Sequence, residues 1–482
     1  MSAHKLSVLD ASWLFLERRN TPMHIGGLSL YRLPDGESPA FVREVFDRHR
    51  KAGTLRAPFD RKRAWPRLAA GFPSLVEDDD LDLDLDYHIR HSALPAGGSY
   101  RDLFVLVSRL HSTPMDRQRP LWEFHVIEGL PKRQYATYMK VHHCLADGSA
   151  GVRMMHASLS KDPSARDMPA MWSQAADQIG RIGREHVPRL PPPLRARIAT
   201  QMRTAPQLAR VAAQMLRVAT GRQRSPLRTP WQAPPSILNG KLSTARRVVC
   251  QSWPQQRIQS LASSLGLTFN DVVLAMCGGA LRAYLKSHGA LRAQPLICGV
   301  PVAIESDHDH GYGNAISMVF ANLGTHLADP AARLDAVRDS VRAGKQLLSS
   351  LSRESLLGYT MLVTTPLAIG QIAGVASLVP PAFNLIISNV PGPKDPLYWN
   401  GALLEHVYPV SLLPDGQALN ITCLSYAGSV DFSITACRRS LLQVQRLIDH
   451  LEDALVDLER LVAPSAAGAR KSRKRPNVRR VK

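Results

Sequence analysis

The stretch that decides the fold is residues 135–148, with the sequence YATYMKVHHCLADG. Its alternating pattern predicts a β-strand that ends at the paired histidines. Because successive side chains of a strand point to opposite faces, His142 and His143 are expected to face opposite ways. One imidazole can then meet a substrate while the other supports the strand.

The residues after the histidines predict a turn and a helix start. Asp147, Gly148 and Ser149 precede a helical pattern over residues 152–159. Asp147 can accept backbone N–H bonds there or pair with an arginine, and Gly148 permits a tight bend or a close approach of the chain. The motif therefore predicts a strand, a turn and a helix that present one histidine beside an orienting carboxylate.

Three kinds of chemistry can be weighed for this motif. A histidine with a pKa near neutrality suits removal of a proton from a hydroxyl group, a step worth about 10²–10⁴ in rate. A metal site is not predicted, because a third ligand is missing and adjacent histidines of a strand cannot face one ion. A covalent route through Cys144 is weaker, because Cys144 should face away from His143, and no GxSxG motif is present for a serine nucleophile. Packed histidines without a catalytic role stay open at this point.

The composition is that of a large globular chain with a basic surface. The 482 residues are 45% hydrophobic and 21% charged, which excludes a wholly disordered chain and predicts two or three folded units. Lys and Arg number 60 against 40 Asp and Glu, a net charge of +20 that predicts an anionic partner: nucleic acid, an acidic lipid surface or a phosphate-bearing small molecule. Aromatic residues are only 6%, which disfavours stacking on nucleic-acid bases.

The six cysteines form no CxxC pair and no signal-peptide pattern opens the chain, so a cytoplasmic protein is expected.

Proline clusters and shifts in composition divide the chain. The expected segments are a mixed helix and strand part over 1–185, a linker rich in proline and arginine over 186–236, a second globular part over 237–463, and a basic tail over 464–482.

Within these segments the patterns predict individual elements. A short helix is expected over 41–49, and a half-buried strand over 81–86, where leucine and aspartate alternate. Thr268 and Asn270 precede a strongly apolar helix over 271–285.

The linker contains a helical pattern with a basic face. Leu208, Val211 and Met215 recur at helical spacing, and no acidic residue occurs from 186 to 270. Such a helix can lie on anionic lipid. Packing of the helix on its own protein, with solvated arginines, is the favoured alternative.

Residues 355–393 carry no charge at all. Pro366, Pro380 and Pro381 interrupt the stretch, whereas a membrane-spanning helix needs roughly 20 unbroken apolar residues. We therefore expect buried core or the lining of an apolar pocket. The basic tail is a further candidate for contact with an anionic membrane.

Several sequence blocks occur in a recognisable order along the chain. They are LSVLDASWLF at 6–15, PMHIGG at 22–27, PLWE at 120–123, His142-His143 with Asp147-Gly148, Asn270-Asp271, Gly313-Asn314, and SNVPGP at 388–393. In this order the sequence resembles the bacterial wax ester synthase/acyl-CoA:diacylglycerol acyltransferase family over most of its length. It departs from the family pattern at Ala303, Glu305 and Gly324, all in the second half.

The resemblance implies an α/β (α+β) fold of two chloramphenicol-acetyltransferase-like domains in one chain, with an active-site tunnel between them. His143 matches the family's catalytic base, Asp147 a residue that holds the geometry of the site, and His142 and Gly148 supporting positions. Substrate binding or positioning is expected from Asn270, Asp271, Pro120, Leu121, Trp122, Ser388 and Asn389. Neither a metal nor a cofactor is expected.

The expected activity is transfer of a long-chain acyl group from acyl-CoA to diacylglycerol, with long-chain alcohols as further acceptors. An anionic membrane or lipid-droplet surface is the expected macroscopic partner, and nucleic acid is not expected. Two alternatives stay open: a condensation-type acyltransferase acting on a carrier-bound or polyketide alcohol, and a non-catalytic basic protein that binds lipid droplets.

Overall fold

The computed structural model describes residues 4–6, 8–38, 40–51, 55–64, 73–77, 84–174, 194–303, 316–374 and 379–462. The strands in these ranges are β1 His4–Lys5, β2 His24–Arg32, β3 Arg61–Ala64, β4 Ser74–Glu77, β5 Ile89–Ala93, β6 Trp122–Glu128, β7 Gln134–His142, β8 Arg246–Pro254, β9 Ile297–Ala303, β10 Ile316–Asn322, β11 Leu385–Pro391, β12 Tyr398–Trp399, β13 Ala402–Val410, β14 Leu419–Tyr426 and β15 Ser429–Cys437.

Helices occur between and after these strands. They are α1 Val8–Leu16, α2 Ala40–Lys51, α3 Leu85–His88, α4 Tyr100–Ser112, α5 Gly148–Ala157, α6 Leu194–Ala219, α7 Gln255–Leu265, α8 Phe269–Ser287, α9 Pro330–Ser349, α10 Arg353–Ala373 and α11 Arg446–Glu459.

Across the described ranges the strands form two six-stranded sheets and a small three-stranded one. The first large sheet has the order β12-β13-β2-β7-β6-β5, and the second has the order β10-β9-β11-β14-β15-β8. The small sheet has the order β1-β4-β3. Residues of the second sheet fill one hydrophobic cluster, and residues of the first sheet fill another, which Leu424 and Tyr426 of β14 also join. Val248 and Cys250 of β8 share a third cluster with β2 and β7, so the two α/β layers also pack on each other.

Two strands from the second half of the chain, β12 and β13, belong to the first sheet. β13 pairs antiparallel with β2, with Val407 opposite Ser29. The buried carboxylate of Asp431 on β15 accepts a hydrogen bond from the backbone N–H of Val407 (2.7 Å) and lies 3.0 Å from Nδ1 of His406. These contacts join the two sheets at β13.

The strand that carries the histidine motif is a central one. β7 is buried along its whole length and lies between β2 and β6. His142 lies opposite His24 of β2, and Val141 lies opposite Trp122 of β6. The predicted strand is thus confirmed, and its end is fixed because main-chain hydrogen bonds hold it from both sides.

Two predicted helices are confirmed. The α2 helix covers residues 41–49, and α8 covers 271–285. α8 begins two residues earlier than predicted because Thr268 caps it. The Thr268 hydroxyl accepts from the Asp271 N–H (3.2 Å), while the Asp271 carboxylate accepts from the Thr268 N–H (3.0 Å).

The strand predicted over residues 81–86 is wrong where the structure describes it. Residues 81–83 lie outside the described ranges, and Leu85 and Asp86 begin α3. Asp84 caps this helix by accepting from the N–H of Tyr87 at 3.2 Å. A local bond from side chain to backbone therefore outweighs the alternating pattern.

The linker helix α6 packs on α10, in agreement with the favoured alternative. Leu208 of α6 fills the space beside Gly358 of α10, where an added Cβ would lie 2.5 Å from Leu208 Cδ1. Val211 is buried, whereas Arg210 and Arg217 are exposed. The preceding residues 186–193 and the basic tail over 464–482 lie outside the described ranges.

The prediction of buried core for residues 355–393 is wrong for one face of α10. Tyr359 and Val363 are buried as expected, but Met361 and Ile369 are 57% and 60% exposed. Hydropathy alone could not show this, because both faces of the helix are apolar.

Buried neutral histidines make the fold sensitive to acid. Burial lowers the pKa of several of them, to about 3 for His111 and His142. The remaining members of this group are His24, His49, His88 and His125. Each side chain binds a proton more readily after unfolding, so stability is full above the ordinary histidine pKa and falls as the pH falls below it.

We expect the free energy of unfolding to drop between pH 7 and pH 5, by about 2 kcal/mol for each histidine whose folded pKa is near 3. Urea denaturation at both pH values measures this drop. Equal free energies at pH 7 and pH 5 would contradict the assignment of neutral buried histidines.

Candidate active site

The end of β7 is held by main-chain bonds from two separate segments. The N–H of His142 donates to the carbonyl of Leu121 (3.0 Å), and the N–H of His143 donates to the carbonyl of Met23 (2.9 Å). The N–H of Leu145 then donates to the carbonyl of His142 (2.9 Å), which closes the predicted turn. Main-chain hydrogen bonds alone therefore fix the backbone of His142 and His143.

His142 is buried and keeps one tautomer. Its Nδ1 accepts from the N–H of Cys144 at 3.1 Å, so the ring proton lies on Nε2. That nitrogen lies 3.6 Å from Oε1 of Glu17. Burial is the largest cause of its low pKa, followed by His143 and Arg117, so the ring is neutral at pH 7. His142 therefore holds the turn through its bond to Cys144, and its supporting role in the reaction stays a prediction.

Glu17 is itself anchored by an arginine one hundred positions later. Nε and Nη2 of Arg117 both donate to Oε2 of Glu17, at 2.8 and 2.6 Å. Oε1 of Glu17 accepts from the N–H of Met23 at 3.1 Å. One buried carboxylate thus connects Arg117, the segment whose carbonyl holds His143, and the ring of His142.

His143 has different contacts. Its ring stacks on the indole of Trp13, with centroids 4.2 Å apart and planes at 26°. The residue is half-buried; its Nδ1 is buried without a hydrogen-bond partner, which leaves Nε2 as the nitrogen able to meet a ligand. Burial lowers the pKa of His143, while its own carbonyl, Asp147 and Asp10 act in the opposite direction. The ring is therefore a neutral base at pH 7.

Asp147 is the N-cap of α5. Its Oδ1 accepts from the N–H of Ala150 (2.7 Å) and from the hydroxyl of Ser149 (2.8 Å). Such a cap is worth about 1 kcal/mol. The carboxylate also raises the pKa of His143 through space, so it acts on both the backbone and the charge of the site.

Gly148 opens α5 but is not required there by backbone strain. Its φ is not in the left-handed region, and an added Cβ would meet no atom within 4 Å. The expectation of a tight bend is therefore not met. The other expectation, a close approach of the chain, is not met among the described residues either, because the space beside Gly148 is open.

The block Pro120, Leu121 and Trp122 forms part of the scaffold under the site. Leu121 supplies the carbonyl that holds His142. Trp122 is fully buried, and its Nε1 donates to the carbonyl of Phe59 at 2.8 Å. Pro120 accepts through its carbonyl from the N–H of Trp122 (3.0 Å).

The two asparagines expected in the second half lie together. Nδ2 of Asn389, on β11, donates to Oδ1 of Asn270, on α8, at 2.6 Å. Cys423 lies opposite Asn389 on β14, and its thiol donates to the Asn389 side-chain oxygen at 3.3 Å. The Asp271 carboxylate accepts from the hydroxyl of the cap residue Thr268, and Ser388 pairs with β14. The expected part of these two residues in substrate positioning stays a prediction.

A shared core connects this asparagine pair with the histidine motif. Val390, next to Asn389, packs against the cluster that contains Cys144 and Leu145. The end of β11 and the turn after His143 thus contribute to one hydrophobic cluster. In the described part of the chain, no three His, Cys, Asp or Glu side chains are grouped to hold a metal ion.

Comparison with known families and sequences places this site in a family. Residues 6–273 match the wax ester synthase/diacylglycerol acyltransferase catalytic domain, and residues 312–459 match the WS/DGAT C-terminal domain. A putative diacylglycerol O-acyltransferase of Mycobacterium tuberculosis is 43% identical over 458 residues, which cover 95% of this chain and 100% of the relative. O-acyltransferase WSD of Acinetobacter baylyi is 39% identical over 459 residues, which cover 95% of this chain and 97% of the relative.

Solved structures agree with this assignment. The wax ester synthase/diacylglycerol acyltransferase from Marinobacter aquaeolei VT8 matches with a TM-score of 0.77 and 37% identity, over 96% of this chain and 100% of that one. A condensation domain of the CDA synthetase shares the fold with a TM-score of 0.56 and 16% identity, over 96% and 97% of the two chains.

The fold and these matches define an acyltransferase enzyme. The chain belongs to the wax ester synthase/diacylglycerol acyltransferase family, and the resemblance inferred from the sequence motifs is confirmed. The two-part chloramphenicol-acetyltransferase-like fold is confirmed as well. The tunnel between the two parts stays a prediction.

Sequence reasoning missed Trp13, Glu17 and Arg117. Trp13 lies in the first block that carries the family resemblance, but nothing in that block indicates a stacking partner. Glu17 and Arg117 are one hundred residues apart and show no shared pattern. A contact of this kind is set by tertiary structure alone.

Replacing Glu17 with Gln should lower the free energy of unfolding by about 1–3 kcal/mol, because a charged hydrogen-bond acceptor for Arg117 is lost inside the protein. Glu44→Gln is the matched control, because Glu44 is exposed on α2. Chemical denaturation of the two variants measures the difference. The proposed anchor is wrong if both variants unfold at the same denaturant concentration.

Proposed function

We propose that this enzyme transfers a long-chain acyl group from acyl-CoA directly to the hydroxyl group of diacylglycerol, with long-chain alcohols as second acceptors. His143 is the general base. The observation that carries this proposal is a neutral, partly buried imidazole held at a fixed strand end in a chain of this family.

The state of His143 suits proton removal. A general base must be unprotonated at the working pH, and burial of the ring lowers its pKa below the ordinary histidine value. Trp13 limits rotation of the ring by stacking on it. Nδ1 is buried, so Nε2 is the atom that takes the proton from the acceptor hydroxyl.

The reaction then balances without a covalent enzyme intermediate. As Nε2 takes the proton, the acceptor oxygen attacks the thioester carbonyl and forms a tetrahedral oxyanion. The carbon–sulfur bond then breaks, and the ester is released. The departing CoA sulfur receives the proton from the imidazolium, which restores neutral His143.

Cys144 is a poor candidate for a covalent intermediate. Its thiol is buried, and burial raises its pKa well above that of a free cysteine, so the reactive thiolate is scarce at pH 7. Its N–H is engaged with His142. Direct transfer is therefore the better supported route.

Asn270 is proposed to stabilise the oxyanion. Its Oδ1 accepts from Asn389, so the NH₂ group of the same side chain is turned away from that bond and can donate. An amide donor of this kind typically contributes about 2.7–4 kcal/mol to transition-state stabilisation. Asn389 would act as a positioning residue that fixes the orientation of the Asn270 amide.

The choice of donor and acceptor rests on the family and on charge. The relatives are named diacylglycerol O-acyltransferase or wax ester synthase, and the basic excess of this chain suits the phosphates of CoA. The likeness to condensation domains keeps a carrier-bound acceptor as the second candidate, although that likeness concerns the fold alone.

An acceptor panel separates these candidates. Purified protein would receive labelled long-chain acyl-CoA with diacylglycerol, hexadecanol or a carrier-bound hydroxyacyl thioester, and thin-layer chromatography would resolve the products. Labelled triacylglycerol and wax ester are expected. Labelling of the carrier-bound acceptor alone would favour the condensation-type reaction.

His143→Ala should reduce kcat by about 10²–10⁴, since it removes the general base. His156→Ala is the control, because His156 is exposed on α5 close to the motif in the chain. Both variants would be assayed with the same labelled acyl-CoA. A His143→Ala variant with more than a tenth of the normal kcat would remove His143 from the mechanism.

The value of kcat/KM should fall at low pH, because His143 becomes protonated. Protonated His143 cannot act as a base, so kcat/KM is expected to fall below an inflection that lies under the ordinary histidine pKa. Asp147→Asn removes a charge that raises the pKa of His143, and asparagine still caps a helix. The inflection should therefore move to lower pH in this variant. A pH–rate profile tests this, and an upward move would contradict it.

A further inference from the structure

The C-terminal part of α10 presents a row of large apolar side chains to the outside. Met361, Leu362, Ile369 and Ile372 are between 46% and 60% exposed. Their spacing of 1, 7 and 3 positions places them on one side of a helix, and we call this set the apolar stripe. A contiguous exposed surface of this kind marks a place where another surface docks.

The opposite side of α10 is fixed to the protein. Leu356, Tyr359 and Val363 are buried in a core cluster, and the hydroxyl of Tyr359 donates to the carbonyl of Met318 at 3.3 Å. By length and composition α10 could cross a membrane, but a helix with one side in a protein core cannot be surrounded by lipid. A helix that lies along the surface of a membrane can be both strongly apolar and fixed to the protein on one side.

Positive charge borders the apolar stripe. Residues 355–393 carry no charge, so the stripe itself is neutral. Leu208 of α6 packs on α10 at Gly358, just before the stripe begins, and the same helix α6 carries the exposed Arg210 and Arg217. At the other end, the guanidinium of Arg18 donates to the carbonyl of Ile372.

Among the described residues of α6 and α10, the acidic side chain is the exposed Glu354, in the first turn of α10 and seven positions before the stripe begins. The segment from 186 to 270 contains none, so every charge on α6 is positive. Asp415 approaches α10, but through its backbone, which exchanges two hydrogen bonds with the side chain of Gln371. A neutral apolar row with cationic borders complements a surface that is apolar inside and anionic outside.

The apolar stripe ends beside the segment that covers the catalytic imidazole. Arg18 follows α1, and α1 carries Trp13, which stacks on His143. Phe15, also on α1, is 43% exposed. Arg18, which contacts the end of the stripe, is therefore only five positions after Trp13, which stacks on His143.

From these contacts we infer that α10 docks the enzyme on an anionic phospholipid bilayer, with the apolar stripe in the lipid and the arginines of α6 and Arg18 at the headgroups. The inference deepens the proposed function, because diacylglycerol is dissolved in such a bilayer and would enter beside α1. The apolar contact is thus assigned to α10, whereas the sequence offered the linker helix and the basic tail as candidates for contact with anionic lipid.

Vesicle flotation tests this directly. The full chain would be mixed with phosphatidylcholine vesicles that contain or lack phosphatidylglycerol, without acyl-CoA. Ile369→Gln/Ile372→Gln should weaken binding to the anionic vesicles about tenfold. The matched control is Val105→Gln/Leu442→Gln, which replaces two apolar side chains that are 47% and 65% exposed elsewhere and should bind normally.

The arginine border has its own test. Arg210→Gln/Arg217→Gln should weaken binding several-fold on anionic vesicles and leave binding to neutral vesicles unchanged. Lys286→Gln/Arg292→Gln is the control, because both cations are exposed on or just after α8. High salt should reduce the difference between the wild type and the arginine variant.

Two results would overturn the inference. One is equal vesicle binding by the wild type and Ile369→Gln/Ile372→Gln, with equal melting temperatures. The other is a wild-type dimer that this double variant converts to a monomer in gel filtration without any change in vesicle binding, since the apolar stripe would then cover a second copy of the chain. His143→Ala should still bind vesicles, so failure of the proposed chemistry and failure of docking are separate outcomes.

Discussion

Two main-chain hydrogen bonds at the end of β7 are the constraint on which the site depends. The carbonyl groups of Leu121 and Met23 accept from the N–H groups of His142 and His143, and these carbonyls belong to the segments that flank β7 in the first sheet. Backbone bonds of this kind do not change with side-chain rotation. The sheet therefore fixes the positions of both imidazoles, and the side chains around them decide only orientation and charge.

The charge around the site is set mainly by exclusion of water. Burial lowers the pKa of both motif histidines, while the neighbouring Lys140 and Glu123 form an ion pair deep in the same sheet. His125 and Lys140 hold the pKa of Glu123 at about 2 although its burial acts the other way. The buried histidines stay neutral, whereas Glu123 and Lys140 can stay ionised in the same sheet because each lies next to the opposite charge.

The parts of the structure that were predictable are those decided by local chemistry. The cap at Asp147 and the end of β7 follow from residues within a few positions of each other, and the ordered family motifs identify the architecture. The strand predicted over 81–86 failed because Asp84 could form a cap that the alternating pattern does not reveal. The Glu17–Arg117 contact and the exposed side of α10 depend on distant packing, for which a single sequence holds no signal.

The position of β13 has a consequence for how the protein is made. The first sheet contains β7, which carries the histidine motif, but β13, the strand on the other side of β2, is supplied by residues 402–410, more than two hundred positions after β7. During synthesis, the N–H and C=O groups on this edge of β2 stay unpaired until β13 has left the ribosome, when almost the whole chain has been made. The N-terminal half alone is an unfinished sheet, so splitting the enzyme at the linker would produce a fragment prone to pair with other chains.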